Sequence, residues 1–314
     1  MEARQAKLFL FPARSLGTPI LEADVPALGL RYSLGMGARP IVLSIAGYDP
    51  SSGAGVTADI KTAAALGCYA VTCITALTVQ STRGVFGVEA VRAELVRQTL
   101  FRLADDVAIA AVRIGMLGSG DVAGVVADFL SQFKPPNVVL DPVLRSSSGA
   151  SLVDAQGLGV IRNRLLPLCD VVSPNGEEAA VLADDGAGAV SLSEPWETVL
   201  LRIRSLAAKL HETGCRGVVI TGGHLAEPND YLSVWDAGRM TEQVFPGVRL
   251  DSRATHGTGC AFAAALACGL ARGHSLPEAV DGAKAYVRRA ILAAYAVGQG
   301  NGPMNHLYGM DEPT

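Results

Sequence analysis

The sequence has no run approaching ~18 apolar residues, so no segment reads as a membrane span. Its six cysteines (Cys68, Cys73, Cys169, Cys215, Cys260 and Cys268) form no CxxC pair and no zinc-type spacing. The Leu8–Phe11 patch is too brief for the apolar core of a secretory signal. Together these absences predict free thiols in a reducing cytoplasm. Basic residues do not exceed acidic ones (26 against 30, net −4), which leaves no electrostatic footprint for a nucleic-acid backbone. Aromatic residues are 5% and charged residues 18%, while 49% of the 314 residues are hydrophobic. That balance excludes global disorder and supplies a large core. With Ala, Val, Leu and Gly dominant, it suits parallel strands packed closely on small-residue helix faces.

Residues 1–40 carry Pro12, Pro19, Pro26 and Pro40 with no sustained period and read as a loosely attached extension, with Met36 an alternative start. From residue 41 to 314 a single α/β domain is expected, because short β-rich runs alternate with alanine-rich helical ones. Strands are predicted over 41–46, 69–75, 109–114, 138–140, 171–172 and 217–221, with a hairpin over 231–235 and 240–245. Helices are predicted over 57–66, 89–103, 121–130, 177–182, 196–212, 258–271 and 276–297. Residues 184–190 read as a surface loop. Strands separated by helices imply βαβ units and a mostly parallel sheet covered on both faces. Ligands of such sheets collect beyond the strand carboxyl ends. There lie Asp49, Gln80, Met116, Asp141, Asn175 and Gly222-Gly223.

The most informative turn is Thr255-His256-Gly257-Thr258-Gly259-Cys260, which runs directly into the apolar stretch Ala261–Ala267. Glycines and a threonine at a helix entrance leave amides without intrahelical partners, and the helix dipole adds partial positive charge there. Such a terminus holds a phosphate, or the charge developing on one during transfer. The turn alone is equally compatible with a glycine-rich helix entrance whose cysteine is merely buried.

With the strand ends placed, the chain resembles the hydroxymethylpyrimidine/phosphomethylpyrimidine kinases of thiamine biosynthesis, within the ribokinase-like superfamily. The resemblance rests on Ser44-Ile-Ala-Gly-Tyr-Asp-Pro-Ser-Ser-Gly-Ala-Gly55, Ala58-Asp-Ile-Lys-Thr62, Ile74-Thr-Ala-Leu-Thr-Val-Gln80 and Arg113-Ile-Gly-Met-Leu117. It continues through Asp141-Pro-Val143, Pro174-Asn175, Gly222-Gly-His224, the 255–260 turn and Gly302-Pro-Met-Asn-His306. It implies a ribokinase-like three-layer α/β/α sandwich, ATP and Mg2+ as cofactors, a small aminopyrimidine alcohol as substrate, and a homodimer.

Carried over by resemblance, Gly257, Thr258, Gly259 and Cys260 form the catalytic turn, and Gly47, Asp59, Gln80 and Met116 form the pyrimidine pocket. Asp141 and Glu178 are the magnesium carboxylates, acting through water, and Asn175, Thr221 and Gly223 face the nucleotide. Gln80 offers an amide with donors and an acceptor for an aminopyrimidine edge, and Met116 an adaptable wall. A thiol at a helix N-terminus is expected to fall toward ~7, so Cys260 reads either as the base for the acceptor hydroxyl or as its positioner. His256 reads as shaping the turn. Thr221 stands where the family usually has lysine, a loss of charge that Arg145 is placed to offset; Asn301 stands where the family often has histidine. The implied activity is phosphorylation of 4-amino-5-hydroxymethyl-2-methylpyrimidine and then of its monophosphate. The alternatives are a pyridoxal/pyridoxine kinase and a non-catalytic vitamer-binding protein, the latter resting on Thr221 alone.

Overall fold

The computed structural model describes residues 38–145, 149, 152–186 and 194–310. The extension assigned to 1–40 therefore lies outside the described residues up to Gly37, as does most of the 184–190 loop. The chain proceeds through β1 (Ile41–Tyr48), α1 (Gly55–Ala65), β2 (Tyr69–Ser81), β3 (Gly84–Ala90), α2 (Ala93–Asp106), β4 (Ile109–Ile114) and α3 (Gly120–Phe133). It continues with β5 (Val138–Leu140), α4 (Ala155–Val160), β6 (Val171–Val172), α5 (Gly176–Leu182), α6 (Trp196–Glu212), β7 (Gly217–Ile220), β8 (Asp230–Asp236) and β9 (Arg239–Phe245). Helices α7 (Thr258–Ala271) and α8 (Leu276–Leu292) complete it.

One nine-stranded sheet has the order β3-β2-β1-β4-β5-β6-β7-β8-β9. The six strands from β2 to β7 in that order are mutually parallel, and antiparallel hairpins flank them at both edges. Strand periodicity divides the core in two. Leu43, Ile45, Val112, Ile114, Leu140, Val172, Val218 and Ile220 pack with α2, α3, α5 and α6 on one face. Their neighbours Val42, Ala111, Val139, Val171 and Val219 pack with α7 and α8 on the other. Both faces are thus covered, which is why these strands read as unbroken apolar runs. Every residue of α7 from Ala261 to Cys268 is buried, and its alanines let this all-round apolar helix lie close against the sheet.

Local sequence explains most element ends. Ser119 caps α3, and Asn175 with Glu178, and Ser275 with Glu278, close capping boxes on α5 and α8. Ala237 and Gly238, at φ 48° and 79°, make the two-residue turn of the β8–β9 hairpin. Three expectations are corrected. Strand β2 runs on to Ser81 and folds back as β3, so Glu89 and Ala90 belong to a strand and α2 begins at Ala93. The short α4 was unforeseen, and α8 stops at Leu292, five residues before Val297. The β2–β3 extension exposes apolar side chains on both faces, Leu77 and Val79 on one and Val88 beside Thr78 on the other, so its local pattern carries no core signature. Among the described residues, no helix is long and apolar enough to cross a membrane.

Candidate active site

The carboxyl ends of the parallel strands carry two glycine turns that touch. Gly257, the N-cap of α7, has φ +76°, and a β-carbon there would lie 1.9 Å from Gly53 O. Bare residues are therefore required where the β1–α1 loop meets the start of α7. Among the described residues, the amides of Thr258, Gly259 and Cys260 have no backbone acceptor; the first bond of the helix is Ala261 N–H to Gly257 O, 2.9 Å. A β-carbon on Gly259 would meet Asp141 Oδ1 at 4.0 Å, so Asp141 faces this end of the helix.

Asp49 holds the first loop. It accepts from Ser51 N, Ser51 Oγ, Gly53 N and Ala54 N, and lies 2.7 Å from His256 Nε2. Burial pushes its pKa up, but the hydrogen bonds from His256 and Ser51 outweigh this and hold it below the usual carboxylate range. His256 N–H also donates to Gly302 O, 3.2 Å, tying the Gly302–His306 segment to the turn. The Gln80 amide lies between Thr78 Oγ1 and His256 Nε2, each at 3.1 Å. The structural role expected of His256 is visible in these contacts.

Of the residues expected in the pyrimidine pocket, Gly47 and Met116 lie against each other. A β-carbon on Gly47 would lie 2.2 Å from Met116 Cε, and Met116 packs with Ala76, Leu152 and Val143 in a small apolar cluster beside Gln80's strand. Asp59, on α1, is buried and accepts from Ser44 Oγ at 2.5 Å. Its other oxygen, Oδ1, is without a partner among the described residues. Burial first, and then the Asp141 charge, against the opposing Arg113, raise Asp59 to about 6.

Arg113, noted in the sequence only as part of a motif, sits at the centre. Its guanidinium reaches Asp59 Oδ2 at 3.1 Å and Asp141 Oδ2 at 2.6 Å, and is fully buried. The signal that marks it is one charge inside the apolar strand Ile109-Ala-Ala-Val-Arg-Ile.

Cys260 departs from expectation. Although partly exposed and at a helix N-terminus, its thiol is pushed up to about 12. Desolvation is the largest cause; Arg113 opposes it, but Asp141 and Asp59 add like-charge repulsion. Burial, with the two neighbouring carboxyls adding to it, raises the thiol where its position alone predicted a lowered one.

Among the residues expected to face the nucleotide, Asn175 Oδ1 is taken up by the Glu177 and Glu178 amides, both at 2.9 Å, so its oxygen serves as a helix cap. Glu178 Oε2 accepts from Asn175 N at 3.0 Å, yet burial and the Asp141 charge raise this carboxyl to about 8. Thr221 pairs with Asn175 as an isolated bridge, and its N–H donates to Pro174 O at 2.9 Å. The tightly held glycine of the next pair is Gly222, where a β-carbon would meet Asn229 O at 2.0 Å; Gly223 is exposed, with nothing close. Arg145 is exposed beyond β5.

Two carboxyls that repel each other, with oxygen-only chemistry, fit a hard divalent cation. Among the described residues no group of three or more His, Cys, Asp or Glu could hold a metal unaided. Magnesium keeps most of its waters and takes one or two carboxylates together with substrate phosphates.

A covered parallel sheet with a glycine-lined anion turn, facing acidic residues at its carboxyl edge, defines a small-molecule kinase of the ribokinase-like α/β/α type. The chain belongs to the phosphomethylpyrimidine kinase family, whose pattern it matches over residues 49–305. A hydroxymethylpyrimidine/phosphomethylpyrimidine kinase of Streptomyces coelicolor is 40% identical over 273 residues, covering 87% of this chain and 96% of that one. A thiamine biosynthesis bifunctional protein of Geobacter sulfurreducens is 38% identical over 87% of this chain, which spans only 54% of its length. Among solved structures, a Bacillus subtilis pyridoxal kinase in its ADP complex superposes with a TM-score of 0.75 at 29% identity, covering 87% of this chain and 99% of that one.

Proposed function

We propose that the protein transfers the γ-phosphoryl group of ATP, with Mg2+, to the hydroxymethyl group of 4-amino-5-hydroxymethyl-2-methylpyrimidine and then to the resulting monophosphate. One observation carries this reading: the uncapped amides at the start of α7 face Asp141, on the strand edge that also holds the Gly47–Met116 pocket. The names of the family and of its curated relatives support the acceptor.

Phosphoryl transfer through a loose transition state needs placement and charge compensation more than covalent help. The amides of Gly257, Thr258, Gly259 and Cys260 take the charge that grows on the equatorial oxygens. Asp141 and Glu178 would hold Mg2+, which when bound neutralises phosphate charge. Met116, Ala76 and Leu152 form an apolar wall for a flat ring, and the Gln80 amide, held by Thr78 and His256, reads its edge. Asp59 accepts a hydrogen bond from the acceptor. Cys260, neutral at physiological pH, orients the hydroxyl. Thr221 and the open backbone at Gly223 lie along the nucleotide.

The same reading places a single kinase domain over 41–314 in the cytoplasm, as a homodimer, with small molecules as its ligands. Incubating the protein with the aminopyrimidine alcohol and Mg·ATP, and resolving products by mass, tests the assignment. Mono- and diphosphate are expected, and the absence of both removes it. A pyridoxal/pyridoxine kinase is the second reading, favoured by the superposition on the Bacillus subtilis pyridoxal kinase. Assaying each vitamer as sole acceptor separates the two.

A further inference from the structure

The least ordinary group in the molecule is the Arg113 guanidinium, fully buried in the middle of a parallel sheet. Strand β4 pairs with β1 in a register that sets Arg113 beside Ser44, on the face covered by α1 and α7. Gly115 leaves the room it needs, since a β-carbon there would lie 2.1 Å from Nη1. The two terminal nitrogens divide their work. Nη1 makes an ion pair with Asp59, supplied by α1 on the acceptor side, without hydrogen-bond alignment, whereas Nη2 donates a hydrogen bond to Asp141, which follows β5 on the cation side. One planar fork therefore spans both halves of the reaction centre. A lysine ammonium, a single point charge, cannot reproduce that span.

We propose that Arg113 is a positioning residue for phosphoryl transfer: it fixes the acceptor-side Asp59 and the cation-side Asp141 on one guanidinium, and so couples acceptor binding to cation binding. This rests on the kinase reading above but not on which vitamer is the acceptor.

The consequence is a shift in magnesium dependence that mere filling of the core would not produce. Arg113→Lys keeps the charge but loses the fork. It is expected to fold, as judged by circular dichroism, to lose about a hundred-fold in kcat as misplaced groups do, and to need more Mg2+ for half-maximal rate. Asp59→Asn leaves Arg113 in place but frees its charge to act wholly on Asp141. It is expected to raise half-saturating Mg2+ at least about five-fold, the lower end of coupling between sites, both in turnover and in calorimetric titration of Mg2+ into the protein with ADP, with no further rise when added to Arg113→Lys. Unchanged Mg2+ dependence in Asp59→Asn, or wild-type kcat in Arg113→Lys, overturns the proposal. Should Arg113→Lys fail to fold, the Asp59→Asn titration decides alone. The wild type is assayed first with both vitamers. If it phosphorylates pyridoxine and not the aminopyrimidine, the acceptor assignment fails while the Mg2+ titrations, run with pyridoxine, still judge Arg113. If it phosphorylates neither, both fall.

Discussion

Cys260 and Glu178 show how far a neighbour can displace a side chain from its textual promise. A cysteine opening a helix invites the thiolate reading, but desolvation and the nearby Asp141 and Asp59 push it to about 12. Cys260→Ala is accordingly expected to lower kcat about ten-fold, short of the ~10²–10⁴ that removing a general base costs. Its kcat–pH profile should show no thiol ionisation near neutrality; a lost limb near pH 7 in the variant would restore the base role. Glu178, raised to about 8 by burial and then by Asp141, binds more protons folded than unfolded between its ordinary 4.5 and 8. Its contribution to stability therefore declines as pH rises through that window. Glu178→Gln should raise the Tm at pH 8, leave it unchanged at pH 4 and weaken Mg2+-dependent turnover. Thermal melts at the two pH values, paired with Mg2+ titrations, check all three. Arg145→Ala should weaken the apparent ATP affinity if its charge replaces the lysine that Thr221 lacks.

At the scale of elements, the glycine turns and the edge hairpin carry distinct expectations. Gly257→Ala must place a β-carbon 1.9 Å from Gly53 O at a left-handed φ, so it should cost more than ~1 kcal/mol of stability and collapse kcat/KM for ATP. Gly222 and Gly223, adjacent in sequence, should behave oppositely. Alanine at 222 meets Asn229 O at 2.0 Å and destabilises, while alanine at 223 meets nothing and melts like the wild type. Denaturant titrations of the three variants read this directly. The β2–β3 hairpin exposes Leu77 and Val79 on one face and Val88 on the other, with Phe86 at the bulge between them; Val79 and Phe86 are 67% and 70% exposed. Apolar exposure of this kind on an edge strand suits a second subunit. Phe86→Asp tests whether the proposed homodimer uses this edge: light scattering should then report a smaller particle than the wild type, with the fold intact.

Across the whole molecule, function depends on six strand ends being brought to one edge. Chelating Mg2+ should abolish turnover without unfolding, because the apolar cores on the two sheet faces owe nothing to a cation. Circular dichroism and activity measured in the same chelated sample test this. Much of the layout was legible beforehand. Helix α6 and helix α7 begin and end where periodicity and caps put them, and the β8–β9 hairpin follows from its turn. Strand β3 was not legible, because its residues alternate against solvent and a neighbouring strand rather than against a core. Arg113 was visible only as a charge in the wrong place, since its partners come from α1 and from beyond β5.

The amino-acid order alone determined the alternation of strand and helix, the apolar faces that force a covered parallel sheet, and the glycines without which the two turns could not touch. These are local properties of backbone freedom and side-chain polarity, and they need no partner to be read. Only the tertiary structure decided protonation and pairing: that the Cys260 thiol stays neutral, that Glu178 titrates near 8, and that one guanidinium holds Asp59 and Asp141. Burial and charges brought from distant segments set those energies, and neither is a property of any one stretch of chain.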